Sequence, residues 1–484
     1  MNKIKASLVL GICVLLLVVA VLGALKSVSA LWNGGTVYIK ADGSIDPPTA
    51  PISTVDNVTY TLTDNINDSI VVERDNITID GARYKLEGTH VIESKGISLH
   101  GRNNVTLRNL WINGFWYGIW LNCSSNIDIC RNNITANILG IATLNSSDNA
   151  FFGNNETTNL FGFNIRNSSN NVIYRNNVVD QEYSIYLYNS SGNTVNENNF
   201  TKNISNGIIL GEFSDNNTIS GNNVVNSHIG ISLSFSSNNI ITQNNIVDNN
   251  EEGMWAEYST NNSVYNNNFI NNTIQAYFVP GYTNDWDNGY PYGGNYWSDY
   301  NGTDANYDGI GDSGYRVTTD PRVAPALLQF DRYPLMGMFH SYNISWVDSG
   351  YFVEMTSNST VSAVDVQVWV EHPEDTNTRR IKFNVTGETG VGFCRIVIPH
   401  AMMNVTNISV IIDNGATQVL YHNYTLYDNG THRWIYFAYE HSTHEIVIVP
   451  EFSSFLILPL FMISTLSLVV VCKKKKGSIF KTLD

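Results

Sequence analysis

From about residue 104 to residue 278, apolar side chains come in short alternating runs, such as Ile119-Trp120-Leu121 and Val172-Ile173-Tyr174, each soon broken by Asn, Ser or Gly. Period-two alternation in pieces this short predicts strands; a helix needs a longer apolar stripe at 3.6 spacing. The runs recur. One Asn column reads Asn104, Asn126, Asn149, Asn171, Asn193, Asn217, Asn239 and Asn262, in steps of 22 to 24 residues. A second reads Asn133, Asn155, Asn177, Asn199, Asn223, Asn245 and Asn268. A third is a small residue before an apolar one, from Gly118-Ile119 through Gly140-Ile141, Gly162-Phe163, Ser184-Ile185, Gly207-Ile208 and Gly230-Ile231 to Gly253-Met254. So regular a period means one unit stacked on copies of itself. About 22 residues hold three short strands and three bends, one coil of a parallel β-helix. Leucine-rich repeats share the period but need a Leu-dominated consensus that is missing here.

Stacking puts like on like. Ile119, Ile141, Phe163, Ile185, Ile208, Ile231 and Met254 are expected in one buried column, with Leu121, Ile165, Leu187, Leu210 and Leu233 in the next. The Asn columns fit bends, because Asn tolerates left-handed backbone angles and its amide can bond from rung to rung. Gly before the apolar residue is expected to supply the same freedom. The outward positions of that strand read Trp120, Ala142, Asn164, Tyr186, Ile209, Ser232 and Trp255, and the next outward column includes Arg166, Tyr188 and Glu257. After Asp331-Arg332-Tyr333-Pro334 the repeat stops. Residues 340–449 then alternate strongly, as in Val364 to Val370 and Arg395 to Ile398, with Gly and Asn turns, which predicts a small β-sandwich. The plan is all-β: an N-terminal cap (31–70), the helix (71–280), an aromatic and Asp/Gly-rich cap segment (281–339) and a sandwich stalk (340–449).

The two ends change the picture. Lys3 and Lys5, an apolar run from Ala6 to Leu25 and Val28-Ser29-Ala30 have the form of a signal peptide (1–30), one long enough to serve as an anchor if kept. Phe452 to Cys472 is a second apolar run, within the 450–472 segment, and four lysines follow it (Lys473 to Lys476). It is long enough for a transmembrane helix, with a basic cytoplasmic tail (473–484). The body then lies on the extracellular face of the cell membrane, anchored at its C-terminus. Between these ends stand 19 basic and 42 acidic residues, a net charge of −23. That balance excludes nucleic acid as a partner. Sequons such as Asn57-Val58-Thr59 and Asn407-Ile408-Ser409 are dense, so glycosylation is expected. Cys123 and Cys130 share a rung, either as a disulfide or as two small buried residues.

Three features carry candidate chemistry. Asp304, Asn306, Asp308 and Asp312 match positions one, three, five and nine of an EF-hand-type calcium loop, with Gly309 at six and the Ile310 carbonyl at seven; Tyr315 stands at twelve, where Glu is expected. This predicts an incomplete, structural calcium site. Trp120, Tyr186, Tyr188 and Trp255 make an outward aromatic face on which sugar rings could stack. Paired acids suited to glycoside hydrolysis, which needs two carboxyls about 5 Å or 6.5–9.5 Å apart, are Asp180 with Glu182, Glu212 with Asp215, and Glu251-Glu252 with Glu257. The aromatic cluster from Tyr282 to Trp297 is expected to seal the open end of the helix, and the His-rich 340–449 segment is read as surface His.

The S-S-x-N and N-N-[IVF] coils over residues 71–278 resemble the right-handed β-helix repeats shared by carbohydrate-binding proteins and sugar hydrolases, and more closely the NosD-like branch, named for a periplasmic protein that helps mature a copper enzyme. Gly293 to Tyr300, continuing through Asp312 to Asp331-Arg332-Tyr333-Pro334-Leu335, resembles the region after the helix in archaeal members. Pro450-Glu451-Phe452, with the apolar run and lysines, resembles the PEF-type sorting tail of archaeal surface proteins, which an archaeosortase cuts and transfers to a lipid. The resemblance implies a right-handed helix, a membrane-bound surface protein and an archaeosortase-type partner. Copper needs clustered His, Met or Cys; His90, His100, His228, Cys123, Cys130 and Met254 are scattered, so no copper site is expected. The leading expectation is a non-catalytic protein that binds glycans or envelope components. A β-helix polysaccharide hydrolase or lyase and a structural surface coat are the alternatives.

Overall fold

The computed structural model describes residue 32 and residues 34–317, 327–346, 349–362, 367–369, 380–404 and 408–450. The signal-peptide and transmembrane segments, Glu451, Phe452 and the basic tail lie outside the described residues. Among those described, no helix is long and apolar enough to cross a membrane. The chain divides into two compact units, one running up to Val264 with Phe269–Asp285 and Val317–Gln329, the other comprising Tyr265–Asn268, Trp286–Arg316 and the chain from Phe330 on.

The first unit is a parallel β-solenoid of about ten turns. The middle turns each give a six-residue strand to one sheet (Leu139–Leu144, Phe161–Arg166, Tyr183–Tyr188) and a three-residue strand to each of the other two, such as Val172–Tyr174 and Asn177–Val179; in the earlier turn of Tyr117–Asn122 the second sheet takes six residues, Ser125–Cys130. These are sheets I, II and III in chain order from the six-residue strand. The first buried column is in register, Ile119 with Ile141, Phe163, Ile185, Ile208, Ile231 and Met254, and all seven side chains are fully buried. The second column is also buried and includes Thr143 between Leu121 and Ile165. Each turn therefore contributes apolar side chains to one continuous core, and that burial sets the register.

The Asn columns do part of the work expected: Asn104 and Asn126 are left-handed, at φ 54° and 55°, and later members bond amide to amide from rung to rung. Asn149, Asn171, Asn193, Asn217, Asn239 and Asn262 are buried, and from rung to rung each donates both its backbone N–H and its side-chain Nδ2 to the Oδ1 of the next, at 2.7–3.2 Å. From Asn149 on, the left-handed residue is instead the one before it: Asp148, Asn170, Gly192, Asn216, Asn238 and Asn261. The Asn133 column does not occupy a bend. It opens the sheet III strands and forms an outer amide ladder, Asn155 to Asn133 and Asn177 to Asn155 at 2.7–2.8 Å. The second buried ladder is one residue earlier, Asn132, Asn154, Asn176, Asn198, Asn222 and Asn244. The Gly column is also corrected. Gly118, Gly162, Gly207, Gly230 and Gly253 have no left-handed φ; a Cβ there would come within 2.4–2.7 Å of the carbonyl oxygen of the next rung. Close backbone approach, not conformational freedom, keeps these positions small. Cys123 is exposed and Cys130 buried, and both are unpaired.

In the second unit, the described strands between Met338 and Pro450 form two antiparallel sheets around a core that includes Val353, Ile381, Phe383, Ile396, Phe437 and Ile446. The two sheets share that core, and Pro450 ends the last strand.

Candidate functional site

Every third bend of the solenoid, between sheets III and I, repeats three residues: one left-handed, one buried amide, one outward. Successive rungs read Ala136-Asn137-Ile138, Thr158-Asn159-Leu160 and Asp180-Gln181-Glu182, and the first residue of each is left-handed at φ 53–56. These nine, except the buried Gln181, line a cleft of about 390 Å³ together with Ile204 and His90. His90 comes from the longer turn between Lys85–Glu87 and Lys95–His100. At a rung spacing of about 4.8 Å the cleft extends along several rungs, on the order of 15 Å. Asp180 and His90 are exposed and Glu182 half-buried. Apolar Ile138, Leu160 and Ile204 stand beside two carboxylates and an imidazole, a mixture suited to a ligand with both apolar faces and hydroxyls.

The floor of this cleft is where the third amide ladder fails. Asn137 donates its N–H and Nδ2 to Asn159 Oδ1 at 2.9 and 3.1 Å. Gln181 then replaces Asn; its Nε2 turns back to the Val179 carbonyl and its Oε1 is buried without a partner. Asn159 Nδ2 donates instead to Glu156 Oε2 at 3.2 Å and to the Ile134 carbonyl. Glu156 is fully buried in a core column between Ile134 and Val178, and its Oε1 has no partner. Burial away from any cation pushes its carboxyl well above the usual range, so it holds its proton. The carboxyl occupies space that Gly140 leaves open, where a Cβ would lie 2.0 Å from Oε2. The sequence reading missed Glu156. A charged residue in a column otherwise filled by Ile134, Val178 and Phe200 is the signal that marks it.

The other sequence candidates are dispersed. Glu212 accepts the Tyr188 hydroxyl at 2.6 Å, and Asp215 accepts the Ser237 N–H. Glu251 pairs with His228 at 2.7 Å; beside it Glu252 is buried with an unpartnered Oε2, and burial and then Glu251 push its carboxyl up. Glu257 accepts the Ser234 hydroxyl. Trp120, Tyr186, Tyr188 and Trp255 do point outward from sheet I but are half-buried. Trp120 leans on Tyr117, Trp255 stacks on Tyr277 at 4.8 Å, and Phe161 stacks on Tyr183 at 4.7 Å and on Tyr186 at 6.1 Å. Trp255 and Phe161 thus each share a ring face with the next rung and turn their edges outward. Arg166 lies 5.6–5.8 Å from the Tyr186 and Tyr188 ring centres.

In the Asp304–Asp312 loop the carboxylates bind the loop's own backbone. Asp304 accepts the Asp308 and Gly309 N–H groups, Asp308 that of Ile310, and Asp312 that of Ala305. Asn306 donates to Asp308, and the Ile310 side chain packs against Leu335 and Phe339. Among the described residues no group of three or more His, Cys, Asp or Glu side chains is placed to hold a metal.

Residues 140–302 match the model of a family described as "Periplasmic copper-binding protein (NosD)". That match and the parallel solenoid make the repeats NosD-like in type. Within 140–302 the only His is His228, the only Met is Met254 and there is no Cys, a donor set that does not fit a copper centre. A comparison with curated proteins gives no match. Among solved structures, the chain is similar to DFA-IIIase from Arthrobacter chlorophenolicus A6 in complex with DFA-III, at 14% identity and TM-score 0.33 over 48% of this chain and 58% of that one. It is similar also to a mutant of the periplasmic alginate epimerase AlgG, at 16% identity and TM-score 0.36 over 52% of this chain and 82% of that one. The chain thus spans little more than half the length of the first of these.

Proposed function

We propose that the protein is a carbohydrate-active β-solenoid that acts on a neutral glycan held in the cleft between sheets III and I. The observation that supports this is the placing of Asp180 and Glu182 on one turn of a cleft walled by Ile138, Leu160 and Ile204. Sugars offer apolar ring faces to such walls and hydroxyls to such carboxylates. Two carboxylates and a strongly acidic body disfavour an acidic polymer. The half-buried Glu182 is assigned as the acid that protonates the leaving glycosidic oxygen. The exposed Asp180 is assigned as the carboxylate that activates water, or attacks the sugar, from the other side. Cleavage adds one water and leaves two shorter glycans. Asn159, held from below by protonated Glu156, is assigned to position the chain.

The test is product release by the full-length protein, in detergent, from glucan, mannan and xylan. The reading predicts new reducing ends, lost in Glu182→Gln and in Asp180→Asn. Release that persists in both variants overturns it. A second reading, non-catalytic glycan binding on the outward face of sheet I, is favoured by the Arg166, Tyr186, Tyr188 and Glu212 array; it predicts binding without products, lost in Arg166→Ala with Tyr188→Ala. Placement on the outer cell surface, sorting at Pro450-Glu451-Phe452 by an archaeosortase-type enzyme, and a calcium brace in the 304–312 loop belong to the same proposal. They rest on sequence alone. Mass spectrometry of the mature C-terminus and calcium-dependent melting of the second unit test them.

A further inference from the structure

The bend between sheets I and II carries a left-handed residue on seven successive rungs, directly after the sheet I strand except at Phe213, which follows the also left-handed Glu212, and its identity changes abruptly along the solenoid. It reads Cys123, Asn145, Asn167 and Asn189, then Phe213, Phe235 and Tyr258, with φ between 46° and 61° throughout. Asn is the side chain this backbone tolerates, and Asn189 donates to Asn167 across the rungs. A bulky aromatic residue there is strained, and nothing in the bend demands one. All three rings are nevertheless exposed, Phe213 by 63%, Phe235 by 47% and Tyr258 by 43%. Phe235 and Tyr258 stack at 4.6 Å, and Tyr258 and Tyr282 meet at a steep angle with ring centres 5.3 Å apart. The solenoid thus keeps three aromatic residues in a line at its surface, the stacked Phe235 and Tyr258 with their ring edges outward and Phe213 the most exposed.

The surroundings say what such a line fits. Glu212 and Glu257 flank it on the sheet I side and Asp215 on the sheet II side, each already holding one hydroxyl or N–H donor. Carboxylates of this kind accept from hydroxyls and repel acidic groups. At roughly 150–250 Å² per aromatic side chain, the three rings expose only about 300 Å² between them. That is well under the roughly 800 Å² per partner of a stable protein interface, and it suits a few sugar units.

We propose that Phe213, Phe235 and Tyr258 form an aromatic track that packs against a neutral polysaccharide chain, on a different edge of the solenoid from the catalytic cleft. The track rests on the carbohydrate reading above but not on catalysis. The experiment compares the full-length protein in detergent with a triple variant, Phe213→Asn, Phe235→Asn and Tyr258→Asn, which restores the residue of the preceding rungs. Binding to glucan, mannan, xylan and polygalacturonate is measured by affinity electrophoresis, and Tm by calorimetry. The expected result is retention by at least one neutral polymer, not by polygalacturonate, weakened about tenfold or more in the triple variant. Tm is expected to stay equal or rise, because backbone strain is relieved. The proposal is overturned by undiminished binding in the triple variant, by no neutral polymer binding the parent, or by a fall in Tm, which would make the rings part of the fold. Concentration-dependent self-association abolished by the triple variant would also overturn it, in favour of a second copy as the occupant. Product release in Glu182→Gln reports on the cleft alone, so the two readings fail separately.

Discussion

Replacing Glu156 by Met is predicted to stabilise the solenoid, by an amount that grows with pH. Met keeps the length of the side chain and can fill the space beside Gly140, while removing the unpartnered Oε1. An orphaned buried oxygen costs about 1–3 kcal/mol. Losing the Asn159 bond returns about 1 kcal/mol of that, since Asn159 Nδ2 still reaches the Ile134 carbonyl. At pH 4 the two proteins should therefore differ by no more than about 2 kcal/mol. Above that the sign is fixed by linkage. Burial raises the folded carboxyl, so the native state keeps a proton that the unfolded chain releases above about pH 4.3. Parent stability contributed by this group is thus highest in acid and falls by about 1.4 kcal/mol per pH unit, up to the folded value. Met has no such slope. Urea unfolding at pH 4, 5, 6 and 7, followed by circular dichroism, should show the gap widening with pH in favour of Glu156→Met. Parallel curves, or a parent that gains relative to the variant as pH rises, would refute the reasoning that Glu156 is buried, neutral and poorly partnered.

Other outcomes follow from the same geometry. Asn171→Ala removes the acceptor of the Asn149 backbone and side-chain N–H groups and should lower unfolding stability by about 2–4 kcal/mol, seen as a shifted urea midpoint with the fold kept. Gly230→Ala places a Cβ 2.4 Å from the Gly253 carbonyl and should cost about 1–3 kcal/mol in the same assay. In the second unit, burial pushes Asp331 up to about 7 although it accepts the Trp297 indole N–H and the Asn295 N–H; Trp fluorescence should titrate near pH 7, lost in Asp331→Asn, and stability should fall as pH rises towards that point and level off above it. Glu182→Gln should lower product release by about 10²–10⁴-fold with binding retained, measured by reducing-end assay and affinity electrophoresis.

The solenoid could be read from the chain because its register is written twice, in the 22-to-24-residue step and in columns such as Ile119 to Met254, which alone bury a continuous core. What stayed hidden was finer. In Asn-Asn pairs such as Asn132-Asn133 and Asn176-Asn177 the first residue turns in and the second out, whereas in Asn170-Asn171 and Asn238-Asn239 the order is reversed, and only the backbone decides which. The Gly column looked like a demand for freedom and is a demand for space. Glu156 is an anomaly visible once the column is aligned, yet its neutral state depends on burial. The cleft joins turn residues from successive rungs to His90 in an irregular turn, and no periodicity announces an irregularity. Phe213, Phe235 and Tyr258 sat in the alignment, but their left-handed backbone did not.

The most direct test of the central claim is a structure of Glu182→Gln grown with a neutral oligosaccharide cleaved by the parent protein. The account predicts an intact chain lying along the rungs of Ile138, Leu160 and Glu182, with the scissile bond beside positions 180 and 182. Sugar bound elsewhere while this cleft stands empty would contradict it.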